Sequence, residues 1–422
     1  MTEKLLQFIW HLQYFNRNEL LTEQGETLQI IQTGTWNTNQ GPDFLSAKIK
    51  IAGTTWAGNI ELHIHTSDWF RHSHQTDSNF QNIILHVVWK NDEPTNTSQF
   101  YLPVLELQSR VSILLLQRYE EWMNNLSFIP CEKSLHLVNE LIWLKWKERL
   151  LVERLQRKST YILQLYKHNV QHWEETFWWM IARNFGIRVN ADAFEAIAHS
   201  IPINILTKHK GQIHQLESLL FGQAGLLNTK FKEDYPRMLQ KEYRFLQKKY
   251  RLQKVFVPLK FLRMRPSSFP SVRLAQLAML IHNSTHLFSK IKELQSLKEV
   301  KELLDITAND YWHYHYRFEE LSDYNVKNLG EEMVNNIIVN TIVPTLYAYG
   351  SYHGEIAYKN KAHNWLEEIA PEKNRITNGW KEIGVSNQQA YDSQSLIELK
   401  TQYCDYKRCL ECSIGNALLK IE

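Results

Sequence analysis

The hydrophobic period of this chain changes near residue 110, and no other feature restricts its architecture as much. Upstream, apolar side chains recur at every second residue, the repeat of a half-buried strand. Downstream they recur every three to four, the repeat of an amphipathic helix. Residues 27–33 alternate around Leu28 and Ile30. Residues 44–51 place Leu45, Ala47, Ile49 and Ile51 on one side and Lys48 and Lys50 on the other, and residues 56–64 alternate again. Residues 82–89 form a nearly continuous apolar run suited to a buried strand, and residues 101–107 close the set. An apolar stripe at helical spacing (Leu5, Leu6, Ile9, Trp10 and Leu12) precedes the strands. Helical periodicity then covers residues 111–126, 135–167, 172–184, 231–252, 272–282 and 396–419, with 258–270 as the clearest irregular stretch. The expected class is α+β: an α/β N-terminal domain over residues 1–110, then a larger, mostly α-helical domain over residues 111–422.

A length of 422 residues allows two or three domains at the usual ~100–200 residues each. With 43% hydrophobic and 22% charged residues, a disordered or fibrous chain is excluded. No apolar run approaches the roughly 20 residues that cross a bilayer. Residues 1–15 lack the basic start, continuous apolar centre and small-residue cleavage site of a signal peptide. A cytoplasmic protein with no membrane partner is therefore expected. The formal net charge of +3 conceals a segregation: residues 1–110 hold 7 Lys/Arg against 11 Asp/Glu, and residues 230–265 hold 12 against 3. The first balance suits cations and the second suits phosphate.

The polar residues of the strand region concentrate between Asn37 and Trp89. Gly41-Pro42-Asp43-Phe44 opens one strand, and the next carries Glu61, His63 and His65, which leave one face while Ile60, Leu62 and Ile64 leave the other. Ser67-Asp68-Trp69 and His72-x-His74-x-x-Asp77 follow, and His86 lies in the apolar run. A hairpin would bring Asp43 and Glu61 together. Hard cations such as Mg²⁺ or Mn²⁺ take oxygen ligands from such carboxylates, and they polarise a phosphodiester and generate hydroxide near neutral pH. The same segment admits a zinc hydrolase. His63, His65, His72, His74 and His86 with Asp68 and Asp77 offer several three-ligand sets, although no pair has the His-Glu-x-x-His spacing. Packing is the competing reading, since Asp is common at Pro turns for its own backbone hydrogen bond.

Over about residues 20–110 this order of strands, Pro-Asp turn, Glu-bearing strand, polar segment and buried strand resembles the core of the PD-(D/E)xK nuclease superfamily. The resemblance implies a restriction-endonuclease-like fold, with Asp43 and Glu61 as ligands of a divalent metal. It puts His63 where the superfamily has the Lys that orients or deprotonates the attacking water. His is a weaker permanent cation and a better proton acceptor, a departure that bears on turnover more than on metal binding. Over nearly its whole length the chain is also similar to an uncharacterised bacterial family of unknown function. The residues that carry this are Gly41-Pro42-Asp43-Phe44, Glu61-x-His63, Ser67-Asp68-Trp69, Leu85-His86-Val87-Val88, Phe221-Gly222-Gln223-Ala224-Gly225, Arg265-Pro266, Phe269-Pro270 and the C-terminal cysteines.

Four cysteines are too few for a disulfide scaffold. Cys404, Cys409 and Cys412 form C-x4-C-x2-C and Cys131 stands apart, which reads as a structural zinc or iron–sulfur site, or else as inert buried thiols. One separate Cys plus a C-terminal triplet resembles the staple of the iron–sulfur nucleases in the RecB-like group. Here the spacing differs, and the lone Cys follows the core instead of preceding it. Residues 230–265 interleave basic residues with Phe231, Tyr235, Tyr243, Phe245, Tyr250, Phe256 and Phe261, a nucleic-acid footprint. Arg263, Arg265 and Arg273 are candidate phosphate contacts, and Ser271 is a candidate helix N-cap. The expectation is a divalent-metal-dependent nuclease with Asp43, Glu61 and His63 at its centre and His65, Asp68, His72, His74 and Asp77 as supporting or substrate-contacting residues. The alternatives are a non-catalytic nucleic-acid-binding protein with a decayed core, and a zinc-dependent hydrolase using the His cluster.

Overall fold

The computed structural model describes residues 1–93, 102–253, 255, 258–284 and 286–421. Tyr101 of the last expected strand, and Lys254 and Phe256 of the basic segment, lie outside the described residues. The chain forms two compact units, Met1–Trp146 together with Leu399–Glu422, and Lys147–Glu398.

The first unit opens with helix α1 (Glu3–Leu12), capped by the Thr2 hydroxyl, which accepts the Leu5 N–H at 3.2 Å. It buries Leu5, Leu6, Phe8, Ile9 and Trp10. Six strands follow: β1 (Leu28–Gln32), β2 (Thr35–Trp36), β3 (Phe44–Ile51), β4 (Thr54–His65), β5 (Ile83–Lys90) and β6 (Val104–Glu106). They form one mixed sheet in the order β1-β3-β4-β5-β6, with β2 also on β3. β3 runs antiparallel to β1, β2 and β4, whereas β4, β5 and β6 are parallel.

The alternation of β3 is shifted from the expected one. Phe44 points inward and Leu45 is exposed, because the register slips between Phe44 and Ala47 and Ser46 takes φ 56. One extra residue in a strand reverses the faces of everything before it. β4 is a shared strand: it pairs with β3 up to Ile60 and with β5 from Asn59 to His65. Ile60, Glu61, Leu62 and His63 are all buried, so alternation is lost here. Both α1 and the short helix α2 (Asp68–Arg71) pack against this strand.

Helices α3 (Ile113–Asn124) and α4 (Glu140–His168) come next. The continuous helix expected over 396–419 is broken into a helix ending at Glu398, a π-helical stretch Leu399–Cys404, a 3-10 turn Cys409–Glu411 and a helix Ser413–Leu419. Lys407, at φ 51, sits at the break. The second unit is mainly helical with a small hairpin, His315–Arg317 and Glu320–Leu321. Phe177, Phe185, Phe194, Phe221 and Trp312 lie at its centre. Gly222 belongs to the helix Ile213–Gln223, and a Cβ there would stand 2.1 Å from the Tyr243 ring. The Gly-rich segment is thus a site of close helix packing, not a ligand loop. Among the described residues no helix is long and apolar enough to cross a membrane.

Candidate metal centre

The β3–β4 register places Asp43 beside Glu61, and the two are interlocked through the backbone. The Asp43 N–H donates to Glu61 Oε2 at 3.0 Å, and the Leu62 N–H donates to Asp43 Oδ2 at 3.0 Å. Gln7 of α1 donates to Asp43 Oδ1 at 2.7 Å. Burial is the main cause that raises both carboxyls above their ordinary range, and the Asp43 charge raises Glu61 further, past neutrality. Such a pair attracts either protons or a cation.

Glu61 and His63 share a face of β4, and the parallel register sets Glu61 opposite His86 of β5. His63 Nδ1 and His86 Nε2 lie 2.8 Å apart, one of them carrying the proton. The other nitrogen, His63 Nε2, faces His72 Nδ1 at 3.2 Å and Glu61 Oε1 at 3.6 Å. His74 Nε2 stands 3.5 Å from the same Glu61 oxygen and is buried without a hydrogen-bond partner among the described residues. Nitrogens of His63, His72 and His74 all fall within 4.8 Å of one another. Burial, reinforced by His74 and His72, lowers His63 to about 3, so the ring is neutral at any ordinary pH. His74 and His86 are likewise shifted downward, chiefly by burial. Neutral imidazole is the form that binds a metal.

The turn that returns from α2 supplies His72 and His74. The His74 ring stacks on Phe80 at 3.8 Å and meets Trp69 edge-on at 5.4 Å, over a small core of Trp69, Phe80 and Ile83. The start of the turn is tied to the end of β5: Thr66 donates to Asn91 at 2.6 Å and Ser67 Oγ to Asp92 at 2.7 Å. The remaining candidates are used otherwise. Asp68 accepts the His65 N–H and pairs with Arg71 at 2.6 Å, and the His65 ring, 42% exposed, stands 3.8 Å from Asp68. Asp77 caps the turn Ser78–Phe80 through the Asn79 N–H. Gln7 and Phe80 were not singled out in the sequence. Phe80 had a signal, as the lone large apolar residue between Arg71 and Gln81; Gln7 had none.

In the second unit, helix Asp234–Tyr250 buries Leu239, Tyr243 and Leu246 and exposes Arg237, Lys241, Arg244 and Lys248 as one stripe. Most of its aromatics turn inward; Phe245, 58% exposed, is the exception. Arg263 and Arg265 are exposed, whereas Arg273 is partly buried and donates to Gln276 at 2.9 Å. Ser271 is not the N-cap: the helix begins at Pro270 after Phe269, and the Ser271 hydroxyl donates to the Tyr316 carbonyl.

A family model described as a protein of unknown function matches residues 3–375. No curated protein matches the chain, and no solved structure does.

Proposed function

Because the chain belongs to the DUF2851 family, whose function is unknown, the reading rests on the site, and we propose that it is a metal-dependent hydrolase acting on the phosphodiesters of nucleic acid. The metal would be held by His63, His72, His74 and Glu61, and water or substrate would enter as a fifth ligand. One observation carries this. Zinc binds nitrogen and oxygen at about 2.0–2.1 Å, so the corners of its tetrahedron stand roughly 3.3–3.4 Å apart. The His63–His72, His63–Glu61 and His74–Glu61 donor separations are 3.2, 3.6 and 3.5 Å. His86 on the far nitrogen of His63 is the kind of partner that fixes a ligand ring and its tautomer. His63 is 2% exposed, which fits a ligand better than a substitute for a water-activating Lys. A bound divalent cation would polarise the phosphodiester and acidify its water. Asp43 would hold Glu61 in place through its own N–H and add negative charge that favours the cation.

The choice of substrate rests on the restriction-endonuclease-like order of the strands, which remains part of the proposal, and on the basic stripe of the second unit, whose chemistry suits a phosphate backbone. The interlocked Asp43–Glu61 pair favours a second reading, in which Mg²⁺ or Mn²⁺ sits on the two carboxylates as in PD-(D/E)xK nucleases. Cleavage of single- and double-stranded DNA and RNA in Zn²⁺, Mn²⁺ or Mg²⁺ separates the readings. Loss of activity in His72→Ala, whose ring is exposed and carries little of the fold, supports the His centre. Mg²⁺-dependent cleavage that survives His72→Ala but not Asp43→Asn would establish the carboxylate pair. Binding with no cleavage in any metal would leave a non-catalytic nucleic-acid-binding protein.

A further inference from the structure

All four cysteines of the chain belong to the first unit, although Cys131 is far in sequence from Cys404, Cys409 and Cys412. The C-terminal segment lies against the stretch that carries Cys131. Arg118 of α3 donates to the carbonyls of Leu418 and Ile421, the latter at 2.7 Å, and Lys407 donates to the Met123 carbonyl. Lys400 stands 5.1 Å over the Phe128 ring, and Tyr403 packs edge-on against Trp146 at 5.2 Å. The Cys131 loop is held by Asn125, which donates to the Pro130 carbonyl at 2.9 Å, and by Ser127, which donates to the Ile129 carbonyl at 2.8 Å.

We infer that Cys131, Cys404, Cys409 and Cys412 form one tetrathiolate metal centre, for zinc or an iron–sulfur cluster, that fastens the C-terminal segment to the first unit. Three of the four residues are buried and none is in a disulfide. Burial is the main cause that raises the Cys412 thiol above its ordinary range, as it does the other three. The turn that carries Cys409 and Cys412 is tight, because a Cβ on Gly415 would stand 2.3 Å from the Cys409 carbonyl oxygen. The Cys131 thiol lies close enough to feel those of Cys409 and Cys412, and the Cys404 thiol to feel those of all three others. Simple burial of unreactive cysteines accounts for the burial. It does not account for the convergence of every cysteine in the chain. The sulfurs do not close to the 4.8 Å mutual spacing that His63, His72 and His74 reach. A zinc ion would draw them inward, and a polynuclear cluster would accept the wider set.

Metal analysis and the visible spectrum of anaerobically purified protein distinguish the two metals: about one zinc per chain on this centre for a closed tetrathiolate site, or iron with sulfide and a brown chromophore. Cobalt added to metal-free protein should give sulfur-to-cobalt charge-transfer absorption, which imidazole ligands do not produce. His72→Ala should keep that absorption, and Cys409→Ser or Cys412→Ser should lose it together with stability. Should the Cys variants not fold, the wild-type cobalt spectrum decides alone. Wild-type protein with no thiolate-bound metal as isolated and no charge-transfer band with cobalt would overturn the inference.

Discussion

Replacing Glu61 by Gln keeps the shape of the side chain and removes its ionisable proton, so the response of the fold can be worked out. Glu61 is 6% exposed, beside Asp43, His63 and His74. Its ordinary value is 4.5, and burial with the Asp43 charge raises it past neutrality. At pH 7 the metal-free folded protein therefore holds this carboxyl protonated against about 2.5 pH units, at about 1.4 kcal/mol each, or roughly 3 kcal/mol. The amide of Glu61→Gln carries no such cost and still accepts the Asp43 N–H. Metal-free Glu61→Gln protein should thus be more stable than wild type by up to about 3 kcal/mol at pH 7. The sign follows from a folded value above the unfolded one: wild type loses stability as pH rises from 4.5, and the gap closes below that, where both states bind the proton. Zn²⁺ should close most of this gap. At a hundredfold excess over Kd it adds about 2.7 kcal/mol to a protein that binds it, and the variant lacks the anionic ligand. Urea unfolding followed by tryptophan fluorescence, at pH 4 and 7 with EDTA or Zn²⁺, measures each quantity. A variant less stable than wild type in EDTA at pH 7 would refute the buried carboxyl pair, and an equal gain from zinc in both proteins would refute Glu61 as a ligand.

Zn²⁺ affinity, titrated against a chromogenic chelator, should increase with pH, since Glu61 must release its proton to bind. His63, neutral down to about pH 3, adds no competition. Trp69→Ala should cost about 3–5 kcal/mol in denaturant unfolding, as truncation of a buried aromatic does, and should weaken metal binding by freeing the His74 ring. Changing Arg237, Lys241, Arg244 and Lys248 to Gln should reduce the slope of log affinity against log salt for duplex DNA by up to about 3.6, read by fluorescence anisotropy. Arg273→Gln should leave that slope unchanged, because its guanidinium is committed to Gln276.

β3, β4 and β5 all lie where their apolar patterns put them, β3 by alternation from Ala47 onward and β5 as a run buried on both faces. Inside β4 the pattern conceals its partners, since Glu61 and His63 are as buried as Ile60 and Leu62. The approach of Asp43 to Glu61 follows from a hairpin and needed only local reasoning. The selection of His72 and His74 over His65 and Asp77 did not, because it depends on a turn that folds back over β4 and on Phe80 beneath it. The breaks within 396–419 left no trace in the apolar period. A π-helical stretch moves the repeat by one residue, and Lys407 must take a left-handed backbone that no Gly announces.

The Asp43 carboxylate accepts the N–H of Leu62 just past the point where β3 stops pairing with β4, so it completes the ladder where the strand leaves off. This has a consequence for descent. A lineage that abandoned the chemistry could not discard Asp43 freely, because an orphaned buried N–H costs about 1–3 kcal/mol. The exposed His72 ring, by contrast, carries little of the fold. Drift should therefore erase the turn histidine first and the aspartate last. Among relatives of this chain, presence of the histidine at position 72, and not of the aspartate, should mark which ones still work.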